Sequence, residues 1–150
     1  MDARAAGLTL ELIASFSAPP ERIFAMLTEP AELARWWGPS GFELPAAELD
    51  LSVNGRYRFT MKPPDGAPFH LSGTFREIDP PGRLVYTFRW DEPTADDRET
   101  LVTLALDAHD GGTRVSLSQG RFATEERLVL HRDGWTDSFE KLREVLDARG

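Results

Sequence analysis

The C-terminal stretch TEERLVLHRDGWTDSFEKLREVLDA, residues 124–148, decides the fold of this chain. Its larger side chains recur every three or four residues, at Leu128, His131, Trp135, Phe139, Leu142 and Leu146. This spacing is typical of one face of an amphipathic helix. At 1.5 Å per residue the helix would be roughly 35 Å long, enough to cross a whole sheet. Thr124, at its start, is a candidate N-cap.

The chain before this helix alternates apolar and polar residues, which is the pattern of half-buried strands. The apolar positions of one parity are Leu10, Leu12, Ala14 and Phe16; Tyr57, Phe59 and Met61; Phe69, Leu71 and Phe75; Leu84, Tyr86, Phe88 and Trp90; Val102, Leu104 and Leu106; and Val115 and Leu117. Turn sequences such as Asn54-Gly55 and Asp110-Gly111-Gly112 separate the runs. Residues 43–50 form a poorer strand that contains a proline, so they are expected at an edge. We predict an antiparallel meander of about six strands.

Two short helices are predicted after the first strand. Prolines at residues 19–20 and at Pro30 set the backbone angle for a helix start. The second helix should end at Gly38, which adopts a left-handed cap without a Cβ penalty. Because adjacent helical residues lie about 100° apart, Trp36 and Trp37 are not expected to face the same core. We predict that one of them forms a cavity rim or a homodimer contact.

The order of these elements indicates the fold class. A meander with one apolar face needs a cover, and the C-terminal helix can supply it. We therefore predict an α+β helix-grip fold, in which a curved antiparallel sheet of six to seven strands grips a long C-terminal helix. The length fits a single domain over residues 1–150, with its core at about 8–148. A helix about 10 Å wide cannot fill the concave side of such a sheet, so we expect a cavity between them.

Composition excludes several function classes. The 150 residues include no cysteine, so disulfides, thiolate metal sites and cysteine nucleophiles are excluded. The formal net charge of −8 would repel nucleic acids and anionic membranes. Residues 1–7 lack the basic start and apolar run of a secretory signal. We expect a cytoplasmic protein of bacterial type, with no nucleic-acid or membrane partner.

The polar residues offer little catalytic chemistry. His70 and His109 are expected outside the core, and His131 is either a core histidine or a polar group in the cavity wall. No two histidines have metal-ligand spacing, and no nucleophile elbow or phosphate loop occurs. The carboxylates Glu11, Glu77, Asp96 and Asp97 are expected to be solvated, and the arginines Arg56, Arg58, Arg76 and Arg89 to cover the outer sheet face. We predict no catalytic residues, metal or cofactor, and hence a binding protein rather than an enzyme.

The predicted ligand-binding residues lie on the inner parity of the strands, on the second short helix and on the C-terminal helix. They are Trp37, Phe59, Met61, Phe75, Tyr86, Trp90, His131, Trp135 and Phe139. Most aromatic side chains in a domain of this size are ordinary core, but the sheet and the helix cannot touch everywhere. Trp135 would give a ligand a flat surface, and His131, one turn away, would bond its carbonyl or hydroxyl group.

Several motifs carry a resemblance to a known family. They are Ala18-Pro19-Pro20-Glu21-Arg22-Ile23-Phe24, Thr28-Glu29-Pro30 with Trp36-Trp37-Gly38-Pro39, Asn54-Gly55-Arg56-Tyr57-Arg58-Phe59, Gly73-Thr74-Phe75-Arg76-Glu77-Ile78 with Pro80-Pro81-Gly82, and His131-Arg132-Asp133-Gly134-Trp135. Together they resemble the SRPBCC (START-like, helix-grip) superfamily over about residues 8–146. Within it, they are most similar to the branch named after the C-terminal domain of the activator of heat-shock protein 90 ATPase.

The resemblance implies several functions. Superfamily members include lipid and hormone carriers and polyketide cyclases, so it favours a small hydrophobic, aromatic or lipid-like ligand in the cavity. The alternatives are a co-chaperone that activates a heat-shock protein 90-type ATPase, or a cyclase- or hydrolase-type enzyme that uses the same cavity. The namesake acts through an additional N-terminal domain as well as this one; we expect that additional domain to be absent here, and hence little chaperone stimulation.

Overall fold

The computed structural model describes residues 8–92 and 97–149. Within these residues the chain forms β1 (Leu10–Phe16), α1 (Pro20–Thr28), α2 (Pro30–Trp36), β2 (Glu43–Leu49), β3 (Arg56–Lys62), β4 (Phe69–Asp79), β5 (Arg83–Trp90), β6 (Thr100–His109), β7 (Gly112–Gly120) and α3 (Glu125–Arg149). The predicted order of elements is confirmed. The predictions for residues 1–7 and for Asp96 lie outside the described residues.

The strands of the described chain form one seven-stranded sheet in the order β1-β7-β6-β5-β4-β3-β2. Every neighbouring pair is antiparallel. The first strand pairs with the last, since Leu12 faces Leu117, and this pairing adds a strand to the meander. The proline-containing strand β2 lies at an edge, as predicted. Register shifts in β2 and β4 mark irregular pairing, which bends a sheet.

The apolar side chains on one face of the sheet pack against the predicted apolar face of α3 in a single core. The side chains of Leu128, Trp135, Phe139, Leu142 and Leu146 are buried on α3. The Phe139 ring lies 5.7 Å from that of Phe16 on β1, and the Trp135 ring lies 5.1 Å from that of Trp37. The helix-grip prediction is confirmed, with α1 and α2 closing one side of the core. No helix in residues 8–92 or 97–149 combines the length and apolarity needed to cross a bilayer.

The expectation that Trp36 and Trp37 cannot share a core is wrong. Both side chains are buried, at 0% and 7% exposure. Trp36 is the last residue of α2 and donates its indole N–H to the Met26 carbonyl at 2.8 Å. Trp37 has φ −66° and ψ 138°, so the helical spacing no longer applies to its side chain. Gly38 follows with φ +100°, the left-handed conformation predicted for the chain reversal.

Thr124 caps α3 and gives a first prediction. Its hydroxyl accepts a hydrogen bond from the backbone N–H of Arg127 at 3.2 Å. Thr124→Ala leaves this N–H without its partner, so we expect the free energy of unfolding to fall by about 1 kcal/mol. Urea denaturation followed by circular dichroism measures the change. Thr124→Ser keeps the hydroxyl and should stay near wild type; equal losses in both variants would contradict the capping role.

Candidate ligand-binding cavity

A cavity of about 320 Å³ lies between α3, the loop after α2 and one end of strands β3 to β5. Its wall is formed by Trp37, Gly38, Pro39, Phe42, Met61, Phe69, Leu71, Phe88, Trp90, Glu92, Asp97, Arg127, Leu130, His131, Gly134, Trp135 and Ser138. Most of these side chains are apolar or aromatic. Since an apolar cavity of about 150 Å³ holds one benzene ring, this one has room for two fused rings.

The structure brings five of the nine predicted residues to the cavity wall: Trp37, Met61, Trp90, His131 and Trp135. The other four, Phe59, Phe75, Tyr86 and Phe139, are buried in the core and do not line it. The two sets share the same sheet face or helix face. They differ in their position along the strands, because the cavity lies where β3 and β5 end and β4 begins.

Several wall residues were not predicted. Phe69 and Phe88 share the parity of predicted neighbours, so alternation could have indicated them. Gly134 offered a different signal, because a glycine inside a helix costs about 1 kcal/mol relative to alanine. An added Cβ there would meet only Pro39 at 3.6 Å, an ordinary contact, so neighbouring atoms do not require a glycine. Its missing side chain leaves space in the wall beside Trp135.

His131 lies at the polar end of the cavity. Its ring contacts those of Phe122 and Phe88, with centroids 4.9 and 5.3 Å away. Its Nε2 accepts a hydrogen bond from the Trp90 indole N–H at 3.3 Å. Burial, aided by the positive charge of Arg127, lowers the pKa of His131 from 6.5 to about 4, against the opposing charge of Asp97. The imidazole is therefore neutral at pH 7.

The prediction that Asp97 is solvated is wrong. Its side chain is 7% exposed and forms an ion pair with Arg127, from the first turn of α3. The Nε–H of Arg127 is buried and has no acceptor among residues 8–92 and 97–149. One carboxylate oxygen of Glu92 accepts a hydrogen bond from the backbone N–H of His70 at 2.8 Å. The other oxygen is hydrogen-bonded to the ring Nδ1 of His70 at 2.9 Å. Both carboxylates of the wall and one terminal nitrogen of Arg127 are thus engaged with protein partners.

The loop after α2, residues 37–42, is tied to α3. The Gly38 N–H donates to the Ser138 hydroxyl at 3.1 Å, and Ser40 N–H donates to Asp137 at 3.3 Å. The Lys141 ammonium donates to the carbonyls of Trp37, Gly38, Pro39 and Phe42 at 3.0–3.5 Å. Burial lowers the pKa of this amine. These bonds hold the Trp37 and Phe42 side of the wall in place.

The outer sheet face is polar, as predicted. The side chains of Arg56, Arg58, Arg76 and Arg89 are exposed, and Arg58 forms a 2.9 Å ion pair with Asp91. A depression of about 970 Å³ on this side is lined by three arginines and by four acids, Glu48, Asp50, Asp91 and Glu99. Its mixed charge favours no single ligand. In the described part of the chain, no group of three or more histidine or acidic side chains is arranged to hold a metal ion.

Known proteins share this architecture. Residues 17–147 match the family of the activator of Hsp90 ATPase homolog 1-like protein. The chain belongs to this family. The match covers the two short helices, six of the seven strands, nearly all of α3 and the cavity wall, and it confirms the resemblance inferred from the motifs. No curated protein matches the chain.

Solved structures from three bacteria extend the comparison. The AHSA1 protein of Silicibacter pomeroyi is 30% identical, with a TM-score of 0.81 over 95% of this chain and 99% of that one. A protein of Chromobacterium violaceum is 26% identical, with a TM-score of 0.83 over 93% and 97% of the two chains. One from Nitrosomonas europaea is 26% identical, with a TM-score of 0.80 over 99% and 98%. These three proteins therefore share the whole helix-grip domain with this chain.

Proposed function

We propose that this protein binds a small, mainly hydrophobic ligand in the cavity between the sheet and α3, without catalysing a reaction on it. The cavity itself carries the proposal: about 320 Å³, an apolar and aromatic wall, and a few polar groups at one end. Ligand sites in proteins share this composition. Trp37, Met61, Trp90, His131 and Trp135 would contact the ligand. The homodimer contact and the chaperone partner stay predictions.

The half-exposed position of Leu130 supports access from solvent. This side chain is 54% exposed although it forms part of the wall, so the cavity opens beside α3. An apolar ligand that enters there gains about 25 cal/mol for each Å² of apolar surface removed from water. Shape and burial, rather than ionic contacts, would supply most of the affinity.

Three of the four tryptophans line the cavity, which gives a direct binding test with 2-acetylnaphthalene. We expect saturable binding that shifts the indole N–H resonances of Trp90 and Trp135 in two-dimensional NMR. Trp36 is an internal control, because it lies outside the wall and bonds the Met26 carbonyl. Equal shifts of all four indole resonances would contradict binding in the cavity. So would the absence of any shift when the ligand is added up to its solubility limit in water.

Gly134 allows the cavity to be filled without weakening the helix. Gly134→Leu extends a side chain into the wall region, so we expect it to abolish 2-acetylnaphthalene binding, while gaining the better helix propensity of leucine. Gly134→Ala is the matched control: it should raise the free energy of unfolding by about 0.5–1 kcal/mol and keep binding. Calorimetric titration and urea denaturation measure both properties. Undiminished binding by a folded Gly134→Leu variant would place the ligand elsewhere.

A further inference from the structure

The polar end of the cavity has a hydrogen-bond donor that the protein does not use. The Trp90 indole nitrogen can only donate, so the His131 Nε2 that receives this bond carries no proton. A neutral imidazole then carries its proton on Nδ1. This Nδ1 has no hydrogen-bond partner among the described residues and is not fully enclosed by protein. A ligand group that bonds this nitrogen must therefore be an acceptor.

The charges in the wall favour a neutral acceptor over an anion. Among residues 8–92 and 97–149, Arg127 is the only lysine or arginine in the cavity wall, and it forms an ion pair with Asp97. Glu92 adds a second carboxylate. A carboxylate ligand would lose its hydration beside two acids and would have to compete with Asp97 for Arg127. A ketone or ester carries an acceptor oxygen without either cost.

We infer that the ligand is a neutral molecule of about two fused rings with a carbonyl-type acceptor, bound by the Nδ1–H of His131. This inference rests on the proposed function and specifies the ligand class. His131 recognises the polar group, and the apolar wall holds the rest of the molecule. A carboxylate of the same shape is rejected.

Three probes of nearly equal shape test the inference: 2-acetylnaphthalene is a neutral acceptor, 2-naphthoate is an anion, and 2-isopropylnaphthalene has no acceptor. At pH 7.5 we expect the ketone to bind wild-type protein about tenfold or more tightly than naphthoate. Naphthoate binding as tightly as the ketone would overturn the inference. Binding of no probe would instead reject the proposed function itself.

Variants of His131 test the donor. His131→Leu should lower the affinity for 2-acetylnaphthalene about fivefold and leave the affinity for 2-isopropylnaphthalene unchanged, because only the ketone accepts a hydrogen bond from the Nδ1–H. His131→Phe keeps the ring contacts with Phe88 and Phe122 and should behave in the same way, which covers the case of a poorly folded leucine variant. His109→Leu, outside the cavity, should change neither affinity. Equal losses of ketone and hydrocarbon would show that His131 only shapes the wall, and would overturn its role as donor.

Discussion

Replacing Gln119 with leucine should lower the free energy of unfolding by about 2–3 kcal/mol. Gln119 lies on β7 under α3 and is fully buried. Its carbonyl oxygen accepts from the Trp135 indole N–H at 2.7 Å, and its amide donates to the Thr100 hydroxyl at 2.8 Å. Leucine removes both bonds and leaves the indole N–H buried without a partner, which costs about 1–3 kcal/mol. The second lost bond adds about 1 kcal/mol, partly offset by the burial of leucine. Urea denaturation at pH 7.5 measures the loss.

A double-mutant cycle separates this polar effect from a simple change of shape. Trp135→Phe alone loses ring volume and the bond to Gln119. In the Gln119→Leu background, Trp135→Phe also removes the unpaired indole N–H. The loss in free energy of unfolding caused by Trp135→Phe should therefore be at least about 1 kcal/mol smaller in that background than in the wild type. Additive costs within about 0.3 kcal/mol would show that the Gln119–Trp135 bond does not stabilise the protein.

Stability should also fall by about 2 kcal/mol between pH 7.5 and 5 because of His131. The unfolded chain binds a proton at this residue near pH 6.5, whereas the folded protein resists protonation until about pH 4, since burial disfavours the charged ring. Between these values unfolding takes up a proton, so stability rises with pH. The contribution of the neutral ring is complete above pH 6.5 and is lost as pH falls toward 4. Urea denaturation at half-unit pH steps measures the slope.

The His131→Gln variant isolates this effect. Glutamine keeps an acceptor for the Trp90 indole but does not titrate, so the difference in stability from wild type should shift by about 2 kcal/mol over this pH range. The charges nearest His131 are Arg127 on α3 and Asp97 before β6. The acids Asp91 and Glu92, whose pKa values are lowered, lose their contribution only at more acidic pH. Parallel profiles for wild type and variant would contradict the lowered pKa of His131.

The residue pattern was sufficient to predict the elements of the fold. Period-two alternation in residues such as Tyr57, Phe59 and Met61 reports which strand face is buried, and three-to-four spacing from Leu128 to Leu146 reports the buried helix face. Proline and glycine indicated helix starts and turns because they restrict or widen the backbone angles. Each signal acts over neighbouring residues, so the sequence displays it directly.

The position of the cavity depended on tertiary structure. Parity places Phe59 and Phe75 on the same face as Met61 and Leu71, but only the packing of α3 and the loop after α2 decides which end of the strands stays open. The same holds for Asp97, whose burial depends on Arg127, 30 positions further along the chain. The sequence by itself determined the fold class, the inner face and the aromatic character of the cavity, because these follow from local periodicity. The tertiary structure decided which residues line it and which polar groups remain unpaired, because those depend on distances between elements far apart in the chain.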